Sequence, residues 1–90
     1  MAFVQRLLWD EWNVGHIAKH RVTPEEVEEV CHAEPLVFEA KRGRIIGVGP
    51  TVDGRVLAVV LAPEGEGVYY PITARPASKK ERRLYEKQGG

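Results

Sequence analysis

The sequence is short of several things: it has one cysteine, Cys31, one methionine, two phenylalanines, no formal net charge and no long apolar run. A single thiol closes no internal disulfide, so a reducing cytoplasm is the expected setting. Cys31 reads as a half-buried helical residue and not as a nucleophile, because no cluster of cations flanks it. There is no charged-then-apolar leader and no apolar stretch of about 18 residues, so neither secretion nor membrane insertion is expected. Zero net charge removes any global field toward nucleic acid, and steering has to come from asymmetry along the chain. Ninety residues predict a single domain over residues 1–90 with a modest core. No repeat or low-complexity segment is present, and the Gly-Gly end is expected to fray.

The asymmetry is there. Residues 24–34 hold five glutamates (25, 26, 28, 29 and 34) and no Lys or Arg, whereas residues 75–87 hold six cations against two glutamates. The chain is a dipole along its own length, with an acidic segment and a basic one.

Residues 8–20 carry helical spacing that places Trp9, Trp12, Asn13, His16 and His20 on one stripe. His16 and His20 stand four apart, the spacing at which two imidazoles reach one metal. The glutamate that hydrolytic zinc helices carry after the first histidine is missing, and no further ligands can be nominated. A structural pair is the preferred reading, with no metal and no cofactor expected. Thr23-Pro24-Glu25-Glu26 then supplies a cap, a proline at the first helical position and a capping-box glutamate, predicting a helix over residues 24–32. Its apolar side is Val27, Val30 and Cys31, and Glu25, Glu28 and Glu29 face water or a basic partner.

After Pro35 the period changes. Residues 36–41 alternate as a strand, Arg42-Gly43 turns, residues 44–51 continue as a strand, and Asp53-Gly54 is a hairpin signal. Residues 55–62 are almost wholly apolar, which predicts a central strand buried on both faces. From Val68 alternation resumes, with Tyr69, Thr73 and Arg75 on one face, and Pro71 assigns this strand to an edge or a bulge. The predicted fold is α+β: two N-terminal helices, a four-stranded antiparallel β-meander and a C-terminal helix. The helices are expected on one face of the sheet, leaving the other partly open.

The stretch that joins the last strand to the last helix is chemically unusual. Pro76 disfavours helix at Arg75, and Ser78 with Glu81 has capping-box spacing, so a helix starts here. Yet Lys79 and Lys80 occupy its first turn, where the helix dipole favours anions. Free N–H groups beside cations make a phosphate or anion site; a solvated amphipathic helix is the alternative.

WDEWNVGHIAKH at residues 9–20, VTPEEVEEV at 22–30, DGRVLAVVLA at 53–62 and ITAR with KKERRLY at 72–85 together resemble the BrnT family, in the right order over nearly the whole chain. The resemblance implies a RelE-like fold and a ribonuclease toxin of a type II toxin–antitoxin pair. It also implies an antitoxin of ribbon–helix–helix type as partner, and RNA, free or ribosome-associated, as substrate. Lys19-His20, Gly54-Arg55, Ala74-Arg75, Glu81-Arg82 and Tyr85 match recurring family positions.

Metal-free RNA cleavage needs a group to accept the 2′-hydroxyl proton, cations for the phosphorane charge and an acid for the leaving oxygen. Arg75 and Arg82 suit the charge role through their planar forks, and His20 the acid–base role, since imidazole titrates near neutrality. Tyr85 is placed to stack on a base or bond a phosphate, or to serve the core. Lys19, Arg55, Tyr69, Lys79, Lys80 and Arg83 are the expected RNA contacts. Glu81 is read as structural, with an internal partner such as an arginine, in preference to a catalytic role. The competing reading is a non-catalytic nucleic-acid or protein-binding module that keeps the toxin fold.

Overall fold

Among the described residues, each of the three α-helices begins where two side chains close a reciprocal capping box. The computed structural model describes residues 4–89; Gly90, part of the Gly-Gly end expected to fray, lies outside the described residues. Asp10 and Asn13 exchange side-chain-to-backbone bonds at 2.9 and 3.0 Å to start α1 (Glu11–Ala18). Thr23 and Glu26 do the same for α2 (Pro24–His32), and Ser78 and Glu81 for α3 (Lys79–Gly89). Such bonds satisfy first-turn N–H groups that have no partner within the helix. The helix expected over residues 8–20 is shorter than its pattern, because the chain just before Asp10 is drawn into the sheet.

Among the described residues the sheet has five strands: β1 (Arg6–Leu7), β2 (Leu36–Glu39), β3 (Ile45–Pro50), β4 (Val56–Gly65) and β5 (Val68–Pro76). Their spatial order is β1-β5-β4-β3-β2. β2 to β5 form the expected antiparallel meander, joined by a single 3-10 turn at Lys41–Gly43 and by a turn in which Gly54 adopts φ 87°. β4 is central, and Leu57, Ala58 and Val59 are fully buried along it, as an apolar run on both faces requires. The four-stranded, all-antiparallel sheet is corrected by β1, which precedes both N-terminal helices and pairs parallel with β5 through Arg6↔Val68 and Leu7↔Tyr69. Two residues carry no period, so nothing in the local pattern announces this strand.

A register shift in β5 overturns the expected facing of its residues. Val60 pairs with Thr73 but Leu61 with Pro71, which leaves Ile72 unopposed as a bulge beside Pro71. The extra residue inverts the alternation below it. Tyr69 therefore packs against the core cluster of Ile17, Leu57, Val59 and Leu61, while Thr73 and Arg75 stand on the other face.

The helices divide between the two faces, which corrects their placement on one. Ile17 of α1 and Val27, Val30 and Cys31 of α2 join Leu57, Val59, Leu61 and Ala74 in one core. On the opposite face α3 packs over β2 and β3, where Val48 and Ala58 are fully buried. Among the described residues no helix is long and apolar enough to cross a membrane.

Candidate nucleic-acid interface

The orientation of α1 is set by a buried amide. Asn13 is wholly buried, and its Nδ2 donates to the carbonyl oxygens of Leu8 at 3.0 Å and Pro71 at 3.1 Å. With Ile17 one turn later it fixes the inward side of α1, so the single stripe read from the sequence separates. Trp12, His16 and His20 face outward. Trp9 precedes the helix, packs on the core and donates its Nε1–H to Glu28 Oε2 at 2.9 Å.

His20 ends up beside Arg55. The Arg55 guanidinium donates to the carbonyl oxygens of His20 (3.2 Å) and Arg21 (2.8 Å) and pairs with Glu26 at 3.3 Å. Arg55, expected to contact RNA, is thus occupied in tying the α1–α2 turn to the start of β4. Its neighbour Val56 accepts from the Ala77 N–H at 3.0 Å. The end of α1 and the approach to α3 therefore share one end of the sheet.

At the strand-to-helix corner, where the sequence suggests an anion site, the chain places its own carboxylate. Arg75 donates through Nη1 to Glu81 Oε1 at 2.7 Å and through Nη2 to Oε2 at 2.9 Å, while Oε1 also accepts from the Ser78 N–H at 2.8 Å. The hydrogen bonds from Arg75, helped by the Ser78 N–H and offset in part by burial, hold the Glu81 carboxyl down to about 2. The same pair raises Arg75 above the ordinary arginine value. The anion at this corner is Glu81, and Arg75 has its fork committed to it.

The other cations of the segment point outward from α3. Lys79, Lys80, Arg82, Arg83 and Lys87 are all exposed, and Lys79, Arg82, Arg83 and Glu86 line a shallow cleft of about 220 Å³. Tyr85 is half-buried and turns elsewhere, lining a groove of about 420 Å³ with Ala33, Leu36 and Gln88. Among the described residues no hydrogen bond, ion pair or ring contact joins His20 to Arg75, Arg82 or Tyr85. The four groups nominated for catalysis are thus spread over two faces: His20 with α1, Arg75 and Tyr85 beneath α3, and Arg82 outside it. Lys19 is exposed near His20, and Tyr69 is half-buried against the core.

Cys31 is buried in the α1–α2 core, and burial, with Glu28 nearby, pushes its thiol up to about 12. Among the described residues there is no group of three or more His, Cys, Asp or Glu arranged to hold a metal ion. His16 is stacked on Trp12 and meets His20 edge-on, with 6.2 Å between the two imidazole centroids.

The family model described as "Ribonuclease toxin, BrnT, of type II toxin-antitoxin system" matches residues 9–81. The chain belongs to the BrnT family. A crystal structure of the Brucella abortus ribonuclease toxin BrnT is similar, with a TM-score of 0.66 and 27% identity, over 82% of this chain and 97% of that one. Among curated protein sequences, none matches. The part matched to the BrnT family begins at Trp9, which bonds Glu28, and ends at Glu81, which Arg75 holds. It contains the capping pairs, the Asn13 anchor and the Arg55 tie. Arg82, Arg83 and Tyr85 lie beyond it.

Proposed function

We propose that the chain is the ribonuclease toxin of a type II toxin–antitoxin pair, acting in the cytoplasm, and that it holds RNA by its phosphates along the outer face of α3. The family match over residues 9–81 carries the activity. The five exposed cations of α3 support this placement, since phosphate contacts supply most of the sequence-independent affinity. Arg82, in the cleft with Lys79 and Arg83, takes the charge-stabilising role, its fork suited to a phosphate's two free oxygens. Arg75 becomes a positioning residue that holds the start of α3 through Glu81. His20 remains the acid–base group, exposed at the same end of the sheet as the approach to α3. Cleavage proceeds without metal. The antitoxin, a ribbon–helix–helix protein from the adjacent gene, covers the same cationic face and so occludes the RNA.

The test is expression with and without the neighbouring gene, followed by cleavage of purified RNA, alone and on ribosomes, in the presence of EDTA. Growth arrest relieved by the neighbour, and cleavage lost in an Arg82→Ala and Arg83→Ala double variant that melts like wild type, are expected. Salt-dependent RNA binding by wild type with no cleavage in any condition would instead establish a binding module.

A further inference from the structure

On the outer face of α1 three rings form a ladder. The Trp12 indole and His16 imidazole are parallel to within 7° at 4.8 Å between centroids, and His20 meets His16 edge-on at 6.2 Å. One side of the indole is covered by an imidazole, yet Trp12 is 57% exposed. Indoles are highly buried on average, so an exposed ring already held in a stack calls for a reason.

Two neighbours break local rules on this same surface. Gly15 lies on the helical stripe of Trp12, His16 and Lys19, spaced i, i+3, i+4 and i+7. Glycine is the worst helix former after proline, and a Cβ here would meet nothing within 4 Å, so no packing demand explains it. Its effect is a shallow floor beside the rings. Arg21 does the reverse. It adopts φ 60° in the left-handed turn that ends α1, where glycine is the residue of choice, and it places an exposed cation there. A glycine stands where the helix calls for a side chain, and an arginine where the turn calls for glycine. Such breaks without a structural gain mark functional surface.

We infer that this face is a nucleobase subsite: an unstacked base of single-stranded RNA lies on the free side of Trp12, over the floor left by Gly15, and Lys19 and Arg21 take the flanking phosphates. A flat aromatic with cations beside it is how sequence-tolerant RNA sites are built. An apolar peptide would want apolar neighbours, and Lys19, His20 and Arg21 stand here. The subsite rests on the RNA reading above and adds base contact to it. Through the Arg55 bonds to His20 and Arg21 and the Val56–Ala77 bond, the ladder leads to the end of the sheet where α3 begins.

The test measures binding of a labelled hexariboadenylate and of the matching abasic ribose-phosphate hexamer to the full chain. Trp12→Ala is expected to weaken the adenylate about 5- to 150-fold and the abasic strand by less than about twofold, with Trp12→Phe recovering much of the loss. Gly15→Gln supplies the control for folding: it should raise the melting temperature through helix propensity while weakening the adenylate. Equal binding of both strands by wild type, or adenylate binding by Trp12→Ala within about twofold of wild type, overturns the subsite. So does an unaltered adenylate affinity in Trp12→Ala combined with lost antitoxin binding, which would make the ladder a protein contact. Cleavage is scored separately. Trp12-dependent adenylate binding without RNA cleavage sinks the ribonuclease reading and leaves the subsite; cleavage with Trp12-independent binding does the opposite.

Discussion

Arg75 on the last strand and Glu81 in the first turn of the last helix form a two-pronged ion pair, at 2.7 and 2.9 Å, that closes the corner between them. The Glu81 side chain is only 13% exposed. The sequence suits Arg75 to phosphate charge, and the pairing with Glu81 gives it a role in the fold. Removing Arg75 leaves a mostly buried carboxylate without its strongest donor. Arg75→Ala should cost about 1–3 kcal/mol by urea denaturation, whereas Arg82→Ala should stay within about 0.5 kcal/mol as an exposed substitution. Equal stabilities for the two variants would show the pair to be passive.

The same pair sets an acid limit. The Glu81 carboxyl is held at about 2 when folded, against 4.5 ordinarily. A folded value below the unfolded one contributes stability that is complete above about 4.5 and disappears as pH falls toward 2. After screening at an arginine still 38% exposed, the loss should be about 1–2 kcal/mol. Glu81→Gln should be less stable than wild type at pH 7, and the difference should shrink between pH 4.5 and pH 2 in thermal melts.

Asn13 should tolerate nothing. Asn13→Leu fits the volume but leaves the Leu8 and Pro71 carbonyl oxygens without their donor and removes the acceptor for the Asp10 N–H. A loss of about 2–4 kcal/mol is expected. Asn13→Asp should be at least as damaging, because a buried carboxylate would face two carbonyl oxygens. Denaturant midpoints for both variants check this.

Cys31 should be silent in the native protein. Its thiol is buried and raised to about 12, so iodoacetamide at pH 7.5 should label it only in denaturant. Labelling of the native chain at the rate of a free thiol would show that the α1–α2 core opens readily.

Catalysis should distinguish Arg82 from Arg75 by the kind of defect. Arg82→Ala should raise the cleavage barrier by about 2–4 kcal/mol, the range for loss of a preorganised charge donor, with unchanged melting. Arg82→Lys should restore little, because a point charge does not reproduce a planar fork. Arg75→Ala should lose activity and stability together, and activity should return in part at low temperature.

Local chemistry was legible where a local rule decided the outcome. Thr23 with Glu26, Ser78 with Glu81, the Asp53-Gly54 turn and the apolar run through β4 all act within a few residues, so periodicity and capping found them. The bulge at Ile72 was not legible, because Pro71 announces an irregularity without stating on which side the chain slips. Tyr69 and Arg75 were assigned one face for that reason, and they lie on opposite ones. The ladder on α1 escaped for a related reason: Trp12 and Asn13 lie at opposite edges of one helical stripe, and only the carbonyl groups of Leu8 and Pro71 select which edge turns inward.

By itself the sequence determined the secondary elements from α2 to α3, the central place of β4, the separation of acidic and basic segments, and the family through motifs in order along the chain. These depend on spacing, capping and apolar runs, which are written in one dimension. Tertiary structure alone decided that Arg6 and Leu7 add a parallel strand to β5, that α3 covers the face opposite α1 and α2, and that Arg75 serves Glu81. Each of those depends on which distant backbone groups or charges meet, and a charge-bearing side chain carries the same signature in the sequence whether its partner is a phosphate or a carboxylate six residues away.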